Sequence, residues 1–232
     1  MIEEPPLLTI RRKSRRPSAA QIAAFQDVPT SFVVDALYGG GALSSAIRPL
    51  GDGRDIDCRA AGPALTVDCG PGDILALVAA LDSIRPGDIV VSAFGGHQGC
   101  AAAGDRVIGM IRNCGAAGFV TDGPTRDYAG VVAVGLPVWS TGLTPASPFS
   151  NGPGTVGFPI QIADRQVETG DMIVADRDGV VVVPFDRIDP VIGMLAKVRA
   201  LEAELDAEIA GGLTVPAEIR DLLASDKVEY EE

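Results

Sequence analysis

Two short runs of this chain leave little freedom of fold. Ile89-Val90-Val91-Ser92-Ala93 and Val180-Val181-Val182-Val183 are apolar at nearly every residue and rich in β-branched side chains. A strand with one wet face alternates apolar and polar residues, so a strand that does not alternate must be covered on both faces. The first run follows the turn Arg85-Pro86-Gly87-Asp88. A second Gly-Asp turn, Gly170-Asp171, leads into Met172-Ile173-Val174-Ala175, so the pattern of turn and apolar strand occurs twice. Asp178-Gly179 reads as a hairpin turn, and the valine run after it as a central strand.

Helical patterns fill the space between these strands. The first forty residues read as helical, with Ser18 and Thr30 as N-caps and Ile22, Phe25, Phe32, Val33, Ala36 and Leu37 at helix-like spacing. Residues 73–81, about 102–114, 131–134, 186–209 and 216–224 read as further helices, and 64–68, 118–122 and 137–140 as strands. From Thr155 the chain turns β-rich. Trp139 and Phe119 fall on strand patterns and read as core. No break in composition divides the chain, which argues for one α/β domain over 18–232 with a helical arm at each end, the C-terminal one over about 186–232.

Charge narrows the partners. The net charge is −12, yet Arg11, Arg12, Lys13, Arg15 and Arg16 lie together in a basic tail, 1–17. So acidic a body repels phosphate backbones, which argues against nucleic acid as the main partner. The tail itself reads as a solvated arm or a segment bridging subunits. No apolar h-region follows its arginine pairs, and no apolar run reaches the roughly 20 residues of a membrane span. Cys58, Cys69, Cys100 and Cys114 lack C-x-x-C spacing, which suits reduced thiols in a cytoplasmic protein.

Chemistry concentrates in 95–127. A glycine-rich loop, a helix and a strand end on Asp122-Gly123-Pro124-Thr125-Arg126-Asp127, and ligands of open α/β sheets sit just past the carboxyl ends of strands. The helix start near Gly104-Asp105-Arg106-Val107 offers unpaired amide N–H groups to a carboxylate. Arg126 supplies a planar fork for the same kind of ligand, and Asp127 a hard oxygen for Mg²⁺ or Mn²⁺. Taken alone, the pair reads more readily as a surface ion pair terminating a strand, since Arg-Asp dipeptides are common and exposed ion pairs contribute little. His97, the one histidine, either meets a distal carboxylate or relays a proton, or is simply solvated in its loop. A Schiff-base lysine is not supported, because Lys13, Lys197 and Lys227 all lie near the ends of the chain. The single histidine and scattered cysteines give no support to a zinc site.

Gly104-Asp105, the string from Gly115 to Asp127, and Gly135-Leu136-Pro137-Val138-Trp139 together resemble the class II 4-hydroxy-4-methyl-2-oxoglutarate aldolases. That family shares its fold with the regulator of ribonuclease E activity. The resemblance implies a single-domain, three-layer β/β/α fold of the RraA-like, swivelling type. It implies a lyase that cleaves 4-hydroxy-2-oxo acids to pyruvate with a divalent metal, Mg²⁺ or Mn²⁺, and that also decarboxylates oxaloacetate. By the same resemblance Asp127 binds the metal, Asp105 acts on it through water, Arg126 binds pyruvate, and the amides after Asp105 hold the substrate carboxylate. Glu202 or Glu204 would complete a neighbour's site in a homotrimer or hexamer. Arg106 and Pro124-Thr125 depart from the family's usual residues. The resemblance equally admits a non-enzymatic regulator that binds a ribonuclease or helicase, and the basic tail would serve that role.

Overall fold

A computed structural model describes residues 6–231 of the chain. Numbered along the chain, its strands are β1 (Leu8–Ile10), β2 (Arg48–Pro49), β3 (Ala60–Asp68), β4 (Ile89–Ala93), β5 (Gly118–Thr121), β6 (Val138–Ser140), β7 (Gly154–Val156), β8 (Ile160–Ile162), β9 (Arg165–Val167), β10 (Met172–Ala175) and β11 (Val180–Val183). The helices are α1 (Ala19–Ala24), α2 (Thr30–Ala36), α3 (Leu75–Ala80), α4 (Asp105–Asn113), α5 (Tyr128–Val134), α6 (Ile188–Ala210) and α7 (Ala217–Leu223). None of them is long and apolar enough to cross a membrane.

The nine residues of β3 serve two sheets. Its first half pairs antiparallel with β10, Gly62 opposite Ile173, and its second half pairs parallel with β4, Leu65 opposite Val90. β4, β5 and β6 continue in parallel, with α3, α4 and α5 as the crossovers between successive strands. This is the mixed α/β fold that the resemblance implies, and it sends the loops after β4 and β5 to one edge of the sheet.

The apolar runs are covered on both faces. On β10 and β11, Met172, Val174, Val181 and Val183 pack among Val33, Ala36, Ile188, Val191 and Leu195 of α2 and α6. Their alternates Ile173, Ala175, Val180 and Val182 belong to the larger core with Val90, Phe119 and Trp139. Period-2 alternation thus divides one apolar strand between two cores. β11 is nevertheless an edge rather than a central strand: β10 pairs with it on one side, and on the other it meets only an isolated bridge from Ala42.

Two expectations for the amino-terminal region need correction. Leu8–Ile10 is a strand, not helix, because it lies parallel to β7, whose paired residues are 146 positions away and invisible to local periodicity. Ser18 does cap α1 in a reciprocal capping box with Gln21. Thr30, however, is the first residue of α2, after Pro29. Its N–H and hydroxyl both donate to Asp176, at 2.9 and 2.8 Å, so a distant carboxylate caps this helix.

Nor is the described part of the basic tail, residues 6–17, a free solvated arm. The two Gly-Asp turns bury equivalent carboxylates, Asp88 at 3% and Asp171 at 4% exposure. Each accepts a backbone N–H of its own turn, from Arg85 and Glu168. Each also grips a neighbouring arginine of the tail: Arg16 bonds Asp88, and Arg15 lies 3.6 Å from Asp171 while also reaching Glu168. The sequence repeat is therefore a pair of anchors for residues 15 and 16.

Burial pushes the Asp88 carboxyl up from its ordinary value, and the Arg85 N–H and the Arg16 guanidinium oppose that rise. A raised folded-state value means that the contribution of Asp88 is fully present in acid and is lost as pH rises through that value. Arg16→Ala removes the counterion and makes that loss larger. We expect it to destabilise the fold by about 2–3 kcal/mol at pH 7 and by much less near pH 4, as read from urea melts at both pH values.

Cys58, Cys69 and Cys100 are buried, and all four cysteines are free. Burial raises each of the three buried thiols, that of Cys69 to about 11, so they remain protonated packing groups at neutral pH.

Candidate active site

The site begins where β5 ends. The Asp122 carboxylate accepts the Phe94 and Gly96 N–H groups at 2.5 and 2.8 Å, which fixes the loop after β4 against the end of β5. Beyond it the chain runs extended between two other loops. Ala102 N–H donates to Pro124 O, Arg126 N–H to Ala103 O, and Thr125 N–H to Gly142 O. Thr125, fully buried, bridges Ala103 on one side and Leu143 on the other. The pair after Thr125 is thus delivered by a short three-stranded clamp, although its residues lie outside regular strands.

Asp127 then takes the left-handed conformation, φ 58° and ψ 47°, which is uncommon for any residue but glycine and is best tolerated by Asp and Asn. It occupies the N-cap position of α5 yet makes no side-chain bond to that helix. Its Oδ2 lies 3.2 Å from Arg126 Nε, and the side chains of Arg126 and Asp127 are 35% and 44% exposed. Arg126 is steadied from the far side by Nη1 donating to Ser147 Oγ at 2.6 Å. A strained backbone that frees a carboxylate beside a braced guanidinium is a common mark of a functional site.

Facing the pair is the start of α4. Gly104 caps it without a side-chain bond, leaving the first-turn N–H groups of Asp105, Arg106 and Val107 without side-chain partners. Gly104 lets the pair lie close: a Cβ there would stand 2.5 Å from Asp127 Oδ2 and 3.0 Å from the Arg126 stem, so one of those side chains would have to shift. Asp105 is pressed as closely against α5, since a Cβ on Gly130 would lie 2.5 Å from its Oδ2. Arg126, Asp127, Gly104, Asp105, Arg106 and Val107 all line one open cavity of about 310 Å³.

His97, the other predicted contact, does not line this cavity. It sits edge-on to Phe94, ring centroids 5.7 Å apart, because Gly96 and the Phe94 turn fold its loop back toward Gly72. Ser147, Pro148 and Ile74 were not anticipated. Ile74 and Pro148 form apolar wall, and Ser147 is the brace of Arg126. They come from loops without periodicity, where no sequence signal points at the site. Glu202 and Glu204 do not reach it within the chain; they lie on the distal half of α6, beyond its last buried residue, Val198.

The donor set is sparse and hard. Among the described residues no group of three or more His, Cys, Asp or Glu side chains could enclose a metal. One carboxylate that is paired only with Arg126, with a second nearby in an open cavity, suits a cation such as Mg²⁺ that keeps most of its waters. It does not suit a closed structural site.

The chain has relatives in sequence and in structure. A family model described as RraA-like, Aldolase/RraA, matches residues 30–182. A protein of Halalkalibacterium halodurans named "Putative 4-hydroxy-4-methyl-2-oxoglutarate aldolase" is 37% identical over 179 residues, which cover 77% of this chain and 83% of that protein. Among solved structures, an uncharacterized protein from Pseudomonas syringae superposes with a TM-score of 0.76 at 26% identity, covering 87% of this chain and 93% of that one. RraAS2 of Streptomyces coelicolor, described as an unusual member of the RNase ES inhibitor RraA family, gives 0.70 at 27%, covering 84% and 98%.

Proposed function

Since the chain belongs to the RraA-like, Aldolase/RraA family, we propose that it is a divalent-metal-dependent lyase acting on 4-hydroxy-2-oxo acids of the 4-hydroxy-4-methyl-2-oxoglutarate type. It releases pyruvate, and it decarboxylates oxaloacetate at the same site. The observation that carries this reading is the freed carboxylate of Asp127 beside the Ser147-braced Arg126, both facing the uncapped start of α4.

Both reactions break a carbon–carbon bond β to a ketone and leave its electron pair on the carbon that becomes the pyruvate methyl. The costly species is the enolate. Asp127 would hold Mg²⁺ or Mn²⁺ directly and Asp105 through water, and the cation would supply Lewis-acid stabilisation of that charge. The protein's own groups do the rest. Arg126 receives the substrate carboxylate in charge-assisted hydrogen bonds, and the bond to Ser147 fixes the direction of its fork. The N–H groups at the start of α4 bind carboxylate oxygen with the positive end of the helix behind them. Ile74 and Pro148 keep water from part of the wall. A water beside Arg126 or Asp105 takes the proton from the 4-hydroxyl and returns one to the enolate carbon.

The test is a coupled pyruvate assay on oxaloacetate and on 4-hydroxy-4-methyl-2-oxoglutarate. Turnover is expected with Mg²⁺ or Mn²⁺ and is expected to disappear with EDTA; metal-independent release or none at all overturns the reading. A regulator of RNase activity is the second reading, favoured by the likeness to RraAS2. Within the basic tail, Arg15 and Arg16 are bound to the protein's own acids and are not free for a partner.

The distal part of α6 carries Leu201, Leu205 and Ile209 at exposures of 66%, 43% and 56%, an i, i+4, i+8 stripe with no cover among the described residues. As part of this proposal the stripe packs on a neighbouring copy and brings Glu202 or Glu204 to that copy's cavity in a trimer or hexamer. Light scattering is expected to give three or six chains, and a monomer defeats this element of the proposal.

A further inference from the structure

A second cavity, of about 380 Å³, lies between the amino-terminal segment and the body, at the opposite end of β4 from the candidate active site. Five residues of extended strand, roughly 16 Å, separate the two edges. Arg11, Arg12, Arg15, Arg16 and Arg85 line it, with Asp82 and Asp88 as the acids in its wall.

The arginines divide by what they already hold. Arg15 is tied to Glu168, Asp171 and Asp186, and Arg16 to Asp88. Arg11 stands over the Phe158 ring, 4.2 Å from its centroid, a contact that leaves the edge of its fork open. Arg12 and Arg85 make no ion pair among the described residues. A chain of net charge −12 therefore gathers around one hollow three guanidinium groups that make no ion pair among the described residues, Arg85 being within reach of the Asp88 charge. Like charges around a shared concavity repel, and low-dielectric walls focus their field into it. An oxyanion with two or more charges would relieve the repulsion and match the planar forks.

We propose that this cavity binds a small, multiply charged oxyanion, phosphoryl or polycarboxylate, held chiefly by Arg12 and Arg85 and clipping the amino-terminal segment to the start of β4. The site is separate from the lyase cavity and does not depend on the lyase reading. The ion pairs of Arg15 and Arg16 pre-position the segment, so binding orders little additional chain.

The experiment is calorimetric titration of pyrophosphate and of citrate into the full chain, in metal-free buffer at about 50 mM salt, where screening is modest. One saturable site per chain is expected. It should weaken at least about 10-fold in Arg12→Ala/Arg85→Ala, whose replaced side chains are exposed, and persist in Arg126→Ala. Binding of pyrophosphate alone marks a phosphoryl ligand, of citrate alone a polycarboxylate, and of both a site that reads charge; each supports the proposal. No saturable heat with either anion overturns it. So does binding that is indifferent to the arginine pair, or binding that vanishes with Arg126.

Discussion

Replacing Asp127 by Asn is expected to lower metal-dependent kcat about 10³-fold while leaving the melting temperature almost unchanged. The size follows from the role: this is the carboxylate proposed to hold the cation directly, and the loss of a stabiliser of developing enolate charge costs several kcal/mol of barrier. The quiet fold follows from the backbone. Asp127 sits at φ 58°, and Asn tolerates that region as well as Asp does. No hydrogen bond to α5 is lost, because none is made. Asp127→Gly sharpens the contrast. It should be equally inactive yet unchanged in stability or up to about 1 kcal/mol more stable, since glycine takes the left-handed conformation without strain. Steady-state kinetics with varied Mn²⁺, beside thermal melts of both variants, would decide. A variant that melts early, or retains more than a tenth of wild-type kcat, removes Asp127 from the proposed role.

The same residue explains how far the sequence was legible. The strands β4, β10 and β11 could be placed because continuous apolar runs between Gly-Asp turns admit few alternatives. The strings 104–107 and 122–127 stand out through the family resemblance, since spacing alone leaves Arg126-Asp127 readable as a surface ion pair; the fold brings residues of both strings around one cavity. Legibility failed where the deciding contact is distant along the chain. Thr30 looks like a cap until Asp176 arrives 146 positions later to cap its helix. The tail looks free until Asp88 and Asp171 claim it. The Gly-Asp repeat was visible, but not its purpose, since a buried carboxylate needs a partner that local sequence does not name. His97 was grouped with the site by closeness in sequence, whereas the fold of its glycine loop turns it toward Phe94. Ser147 lacked any signal, because hydrogen bonding to a guanidinium imposes no periodicity.

Gly104→Ala is the second large effect expected, and it separates geometry from charge. The glycine has φ −130° and ψ −178°, extended backbone open to any residue, so the substitution strains nothing locally. What the new methyl meets is Asp127 Oδ2 at 2.5 Å, nearer than a real Cβ stands, and the Arg126 stem at 3.0 Å, a tight contact. Those side chains are partly exposed and can swing away, so stability should fall by no more than about 1 kcal/mol, much of it the poorer N-cap. The site cannot absorb the same motion. A carboxylate and a guanidinium displaced by an ångström lose their alignment with a shared ligand, and such misplacement costs about 10²-fold. All charges remain, so metal affinity should weaken less than kcat, a pattern opposite to that of a variant lacking the carboxylate. Arg126 can then leave Ser147, and Ser147→Ala should reproduce part of the loss without touching the metal. If Gly104→Ala turns over like wild type, the closeness of Gly104 to the pair has no bearing on catalysis, and the cavity's chemistry lies with other groups.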